Sequence, residues 1–233
     1  MDRAAIPIKL DMKSPCRIVQ VGVNPLAGSL CIKAVSRKRL SVPYSSLEVS
    51  VKGIVFNLLE EVVTRTHGEH VWDALLDAAE LSGSYTSLGS YPDEQMGKLV
   101  QAASNALNIT PGKVLRWFGQ EAMPLLAQRY PTFFLGHQSS RPFIVSVNQI
   151  IHPEVRKLYA GADVPMFDFS DEPDGALMLG YRSPRKLCAL AQGFIEGAAA
   201  HFHESVAVEH QTCMHDGDAE CRMRLSFSTN GAG

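Results

Sequence analysis

The chain has 233 residues, 45% of them hydrophobic and 20% charged, a globular composition with room for one or two domains and a well-buried core. Its formal net charge of −2 is unevenly placed, since residues 1–50 carry eight Lys and Arg against three Asp and Glu while the remaining 14 basic residues face 21 acidic ones. An acidic main body repels phosphate and argues against nucleic-acid binding; with neither a run of about 18 apolar residues nor a basic-then-apolar leader, membrane insertion is not expected and the cytoplasm is the expected location.

Residues 1–50 hold short apolar scraps ("RIVQVGV", "SLCIKAV") without a sustained period, so they read as weak strands or disorder. From Val51 the character changes. "VKGIVFNLLEEVVTRTHGEHVWDALLDAAEL" predicts two helices broken near Gly68, with Ile54, Leu58, Leu59, Val62 and Val63 on one apolar face. A further helix should follow Pro92, whose next residues are acidic, as a helix N-terminus prefers. Another should be capped by Thr110, with Pro111 at its first position. "RPFIVSVNQIIHPEVRKLYAG" is a helical stretch that Pro153 should kink or restart. After Pro165 the pattern becomes β: "MFDFS" and "ALMLGYRS" flank the turn "DEPDG". A helix over "PRKLCALAQGFIEGAAAHFHE" with small residues on one side separates this hairpin from a second, "SVAVEHQTC" and "ECRMRLSFS" around "MHDGDA". Helices followed by two hairpins around a helix predict an α+β fold with a four-stranded antiparallel sheet.

Signatures of nucleophilic hydrolases, phosphate loops, zinc peptidases and dinucleotide-binding folds are lacking, so no enzyme is expected. Tyr181, Ser183 and Arg185 alternate, and in an extended chain such positions share a face. A phenol, a hydroxyl and a guanidinium suit an anion with several oxygens, and equally a solvated strand face. The five cysteines are an odd number, which argues against a disulfide framework. Four residues, Cys188, His210, Cys213 and Cys221, give C-x21-H-x2-C-x7-C, with the last three brought together by a hairpin. They are either a closed tetrahedral zinc set or buried thiols. His152 sits among apolar neighbours, as a core residue or as a ligand.

The segments "VKGIVFNLLEEVV", "LRWFGQ", "IIHPEVRKLY", "YRSPR" and "FIEGAAAHF" occur in this order and resemble the H-NOX family of haem nitric oxide/oxygen-binding domains over residues 51–228. The resemblance implies a helical N-terminal subdomain packed on a C-terminal subdomain that carries the sheet, with non-covalent haem b between them. His152 would be the axial iron ligand. Tyr181, Ser183 and Arg185 would hold the haem propionates, and Pro165 would press on and distort the ring. Val55, Leu59 and Leu190 would line the distal pocket. O₂-binding members place a tyrosine at the position of Leu190, so its apolar side chain implies a sensor that binds NO at ferrous haem and excludes O₂. Release of His152 would then signal to a partner, a histidine kinase or a cyclic-di-GMP cyclase or phosphodiesterase. The Cys188, His210, Cys213 and Cys221 quartet matches a zinc site of NO-sensing bacterial members. The alternative expectation is a zinc/thiol redox-sensing interaction module in which haem is structural or absent.

Two positions depart from the family pattern: Pro153 follows the ligand, and Val51 stands where members begin with Met. A GUG codon is read as Met when it initiates and as Val inside a longer frame. Residues 1–50 are therefore expected to be a non-native or disordered extension, with 229–233 a flexible tail.

Overall fold

The computed structural model describes residues 50–229. The expectations for residues 1–49 and for all but the first residue of the 229–233 tail lie outside the described residues. A short strand β1 (Ser50–Lys52) pairs antiparallel with β2 (Ser90–Pro92), a pairing too brief to leave a sequence signal. It starts one residue before the expected domain boundary. Helices α1 (Gly53–His67) and α2 (Glu69–Ala79) meet at Gly68, whose φ of 91° lies where side chains other than glycine's are strained. Helix α3 (Asp93–Leu107) opens with Asp93 and Glu94, complementing the positive end of the helix dipole. In α4 (Pro111–Arg129) the Thr110 hydroxyl accepts from the Lys113 amide and Pro111 occupies the first turn, as expected.

The helical stretch around His152 is more broken than the sequence suggested. It consists of α5 (Ser140–Ser146), a π turn over Val147–Ile151, and α6 (His152–Leu158). The cause is Pro153, which cannot donate a backbone hydrogen bond and whose ring crowds the carbonyl one turn back. The chain takes up the misfit just before the proline, where the His152 amide bonds five residues back to the Val147 carbonyl.

Strands β3 (Met166–Asp171) and β4 (Leu177–Arg182) form the first hairpin, α7 (Cys188–His201) follows, and β5 (Glu204–Thr212) with β6 (Cys221–Thr229) forms the second. The four strands make the expected antiparallel sheet in the order β3-β4-β6-β5, so the fold is α+β.

Two apolar cores result. Phe56, Leu59, Leu99, Phe118 and Ala122 anchor the helical one, and Leu179, Tyr181, Ile195, Met223 and Leu225 anchor the one between α7 and the sheet. Helices α4 and α7 join them by close contact. A Cβ placed on Gly119 would lie 2.7 Å from the Leu190 carbonyl oxygen and 2.7 Å from the Phe194 amide, and one on Gly193 would run into the Arg116 carbonyl. The small residues read along α7 are thus what lets the two backbones approach.

Candidate functional site

Between the two cores lies a cavity of about 400 Å³, within the range of small-molecule and cofactor sites. Its helical wall includes Val55, Leu58, Leu115, Phe118, Leu190 and Phe194, and its other wall includes His152, Pro165, Phe167, Leu179 and Tyr181. Ser183 and Arg185 also line it. The fold therefore brings His152, Pro165, the Tyr-Ser-Arg trio, Val55 and Leu190 to one space. Leu59 is a correction: it is buried in the helical core and does not line the cavity, whereas Leu58 does. The cavity face of α1 runs through Ile54, Val55 and Leu58, and Leu59, about 100° further round the helix than Leu58, packs into the helical core.

The trio is held otherwise than by strict strand alternation. Tyr181 belongs to β4, paired with Phe167 on one side and Cys221 on the other, but the strand ends at Arg182. Ser183 and Arg185 sit on the turn into α7, where the Ser183 hydroxyl accepts from the Arg185 amide at 3.3 Å. The Tyr181 hydroxyl accepts from the Leu187 amide at 2.9 Å, fixing the same turn from below. Arg185 is nearly buried and spreads its fork over three segments: Nε donates to Asp93 at 2.9 Å, Nη1 to the Asp163 carbonyl at 2.6 Å and Nη2 to the Ser50 carbonyl at 2.7 Å. Nη1 also lies 3.4 Å from the Asp163 carboxylate, so two acids share the charge, while two of the five N–H groups make no hydrogen bond among the described residues.

His152 stacks on Phe167, ring centroids 5.5 Å apart and 21° from parallel. Burial, helped by the nearby Arg156 charge, pushes its pKa down to about 4, so at neutral pH it carries an uncharged ring with a lone pair. An apolar slot with a neutral imidazole on one wall and an Arg, a Ser and a Tyr at one end fits haem: the faces of the ring are apolar, its iron takes imidazole, and its propionates take a guanidinium and hydroxyls.

The second cluster lies at the far side of α7. The ligand atoms of Cys188, Cys213 and Cys221 fall within 4.8 Å of one another, and all three cysteines are free. Burial and the neighbouring thiols push Cys188 up to about 12, and burial also raises Cys221. Thiols so held are poor nucleophiles, but a cation among them would favour the thiolates. His210 of the expected quartet stands apart from the three thiols. It is not in this group; its Nε2 lies 3.0 Å from Gln192 Oε1, one turn of α7 beyond Cys188. Along a regular strand, residues three apart point to opposite faces, and the bulge between His210 and Thr212 shifts the register by one, so that Cys213 follows Thr212 toward Cys221.

The sequence reading missed Leu58, Tyr130, Tyr159 and Asp163, all of which line the cavity, and Asp93, which holds Arg185. Tyr159 had a signal, since it stands two turns beyond His152 on the same helical side. Asp93 and Asp163 had none, because they are brought to Arg185 only by the tertiary fold.

Residues 52–210 match the haem-NO-binding family. The structure is similar to that of an H-NOX protein from S. oneidensis in the Fe(II)NO ligation state, at 32% identity over 77% of this chain and 100% of that one, with a TM-score of 0.72. The same organism's H-NOX domain in the Fe(II)CO state is likewise 32% identical over 77% of this chain and 100% of that one, with a TM-score of 0.70. Unliganded Fe(II) H-NOX from K. algicida is 25% identical over 77% of this chain and 98% of that one, with a TM-score of 0.69. The match covers more than half of the chain and spans both walls of the cavity: this chain belongs to the haem-NO-binding, or H-NOX, family, whose members are haem-based gas sensors.

Proposed function

We propose that this protein is a haem-based nitric oxide sensor that takes NO at ferrous haem b, discriminates against O₂ and passes the signal to a partner protein. The observation that carries the reading is the meeting of His152 with Tyr181, Ser183 and Arg185 on one apolar cavity. Haem, when bound, supplies a ferrous iron that takes a diatomic gas. His152 would hold that iron through its neutral ring, Arg185 and the Tyr181 and Ser183 hydroxyls would hold the propionates, and Pro165 would press on and distort the ring. Val55, Leu58 and Leu190 keep the gas side apolar and offer no hydrogen-bond donor to bound O₂, which favours NO. Release of His152 on NO binding would free α6 to shift and alter a surface read by a histidine kinase or a cyclic-di-GMP cyclase or phosphodiesterase. The haem domain is read as residues 51–228, acting in the cytoplasm without turnover of its own.

The test is the visible spectrum of the reduced, haem-supplemented protein. A Soret band that shifts with NO and stays unchanged in air is expected, and His152→Ala should take up haem only with added imidazole. Absence of a Soret band in the wild type would overturn the reading.

The three thiols support a second part. Cys188, Cys213 and Cys221 suit zinc, with His210 as fourth ligand if it exchanges Gln192 for the metal. The competing reading, a thiol redox module, is disfavoured by the raised Cys188 pKa. Zinc content of about one equivalent, lost in Cys213→Ser, is the expected result; a metal-free protein whose thiols form a disulfide in peroxide would favour the competing reading.

A further inference from the structure

Helix α6 carries His152 at its first position and ends at Tyr159, its C-terminal cap. Its close packing is with the π turn it continues, unlike α7, which lies along the length of α4. The ties that fix this stretch lie before the helix: the Asn148 side-chain Nδ2 donates to the Phe167 carbonyl at 2.6 Å, and Glu204 accepts from the Ser140 backbone amide at 2.9 Å and from the Ser140 hydroxyl at the start of α5. Beyond His152, among the described residues, one side-chain hydrogen bond joins α6 and its cap to another element. It is the contact between the Tyr159 and Tyr130 hydroxyls, 3.0 Å apart.

Tyr130 is the C-terminal cap of α4, its amide bonded to the Leu126 carbonyl at 2.8 Å, and the Tyr159 amide bonds the Val155 carbonyl at 2.9 Å. The two phenols thus join two helix ends, one rooted in the helical core and the other belonging to the ligand helix. Both rings line the cavity. Burial and the Tyr130 hydroxyl push Tyr159 up to about 12, so the phenol keeps its O–H well above neutral pH.

We propose that the Tyr130–Tyr159 hydroxyl pair is a latch holding α6 against α4, which makes both tyrosines positioning residues for His152. The role as regards haem rests on the reading of His152 as the iron ligand; the holding of α6 does not. The latch sets how readily the imidazole leaves: while it is closed, the far end of α6 cannot swing away from the cavity, and opening it leaves His152 tethered only through the π turn. Removing one hydroxyl and keeping the ring preserves the apolar lining, so Tyr→Phe isolates the bond.

The experiment compares wild type, Tyr130→Phe, Tyr159→Phe and the double variant in two measurements. The first is hydrogen exchange of amides 154–159 in haem-free and ferrous protein; the second is the iron–imidazole stretching band of the ferrous protein. Each single variant is expected to speed exchange about five-fold, the scale of one lost hydrogen bond, and to displace the band. The double variant should equal either single, because both remove the same bond. Wild-type exchange in the singles, or effects that multiply in the double, would overturn the latch. His152→Ala separates the two readings: if it keeps the band and binds haem without added imidazole, the ligand assignment fails, while the exchange of the haem-free variants still decides the latch.

Discussion

At position 190 the proposed preference for NO over O₂ rests on a single side chain. Leu190 lines the helical wall beside Val55 and offers no donor. Leu190→Tyr should add a hydroxyl there and slow loss of O₂ by about ten-fold, the weight of one hydrogen bond to a polarised acceptor, as measured by stopped-flow after mixing with O₂-free buffer. A variant that still fails to hold O₂ would show that the tyrosine cannot reach the iron-bound gas. His152 makes a second prediction. Its folded pKa of about 4 lies below the ordinary 6.5, so the unfolded chain binds a proton that the folded one refuses. Its contribution is complete above pH 6.5 and is lost as pH falls from there toward 4. Haem-free wild type should therefore lose more stability between pH 7 and pH 5 than His152→Gln, compared by denaturant midpoints. Equal losses would mean that the ring is solvated.

Among the elements, the α4–α7 contact tolerates no added bulk. A side chain on Gly193 meets the Arg116 backbone rather than a movable tip, so Gly193→Val should destabilise by about 1–3 kcal/mol or more, seen as a lower thermal midpoint. Helix α5 depends on a partner distant in sequence. Ser140 is fully buried, and Glu204 from β5 accepts both its amide and its hydroxyl, which makes that carboxylate a cap borrowed from the sheet. Glu204→Ala should cost about 1–2 kcal/mol and loosen the stretch leading to His152, with Glu204→Gln recovering part of the loss. Neither effect could be read along the chain, because Glu204 and Arg116 act on segments far from them.

For the molecule as a whole, the elements with local causes were legible in the sequence. Thr110 and Pro111 announce α4, Gly68 separates α1 from α2, and the Pro-Asp-Gly turn closes the first hairpin. The helix-then-hairpin order sufficed for the α+β class. What escaped has a non-local origin. Arg185 is held by Asp93, Asp163 and Ser50, each from a different part of the fold. Alternation in the sequence put Tyr181, Ser183 and Arg185 on a strand, but the strand stops at Arg182 and a turn completes the set. His210 was grouped with the thiols by hairpin logic, but its ring meets Gln192 of α7, a contact that only the tertiary fold makes.

The π turn over Val147–Ile151 gives the region around His152 one residue more than a regular helix would need. Each residue advances an α-helix by about 100°, so shortening this turn by one, through deletion of Gln149, would spin the imidazole about 100° around the axis while leaving the sequence on either side untouched. Such a chain should fold and stay colourless. On the reading of His152 as the iron ligand, the aim of that imidazole therefore depends on the length of this one turn, and a single-codon deletion there would silence gas binding without touching any residue of the site.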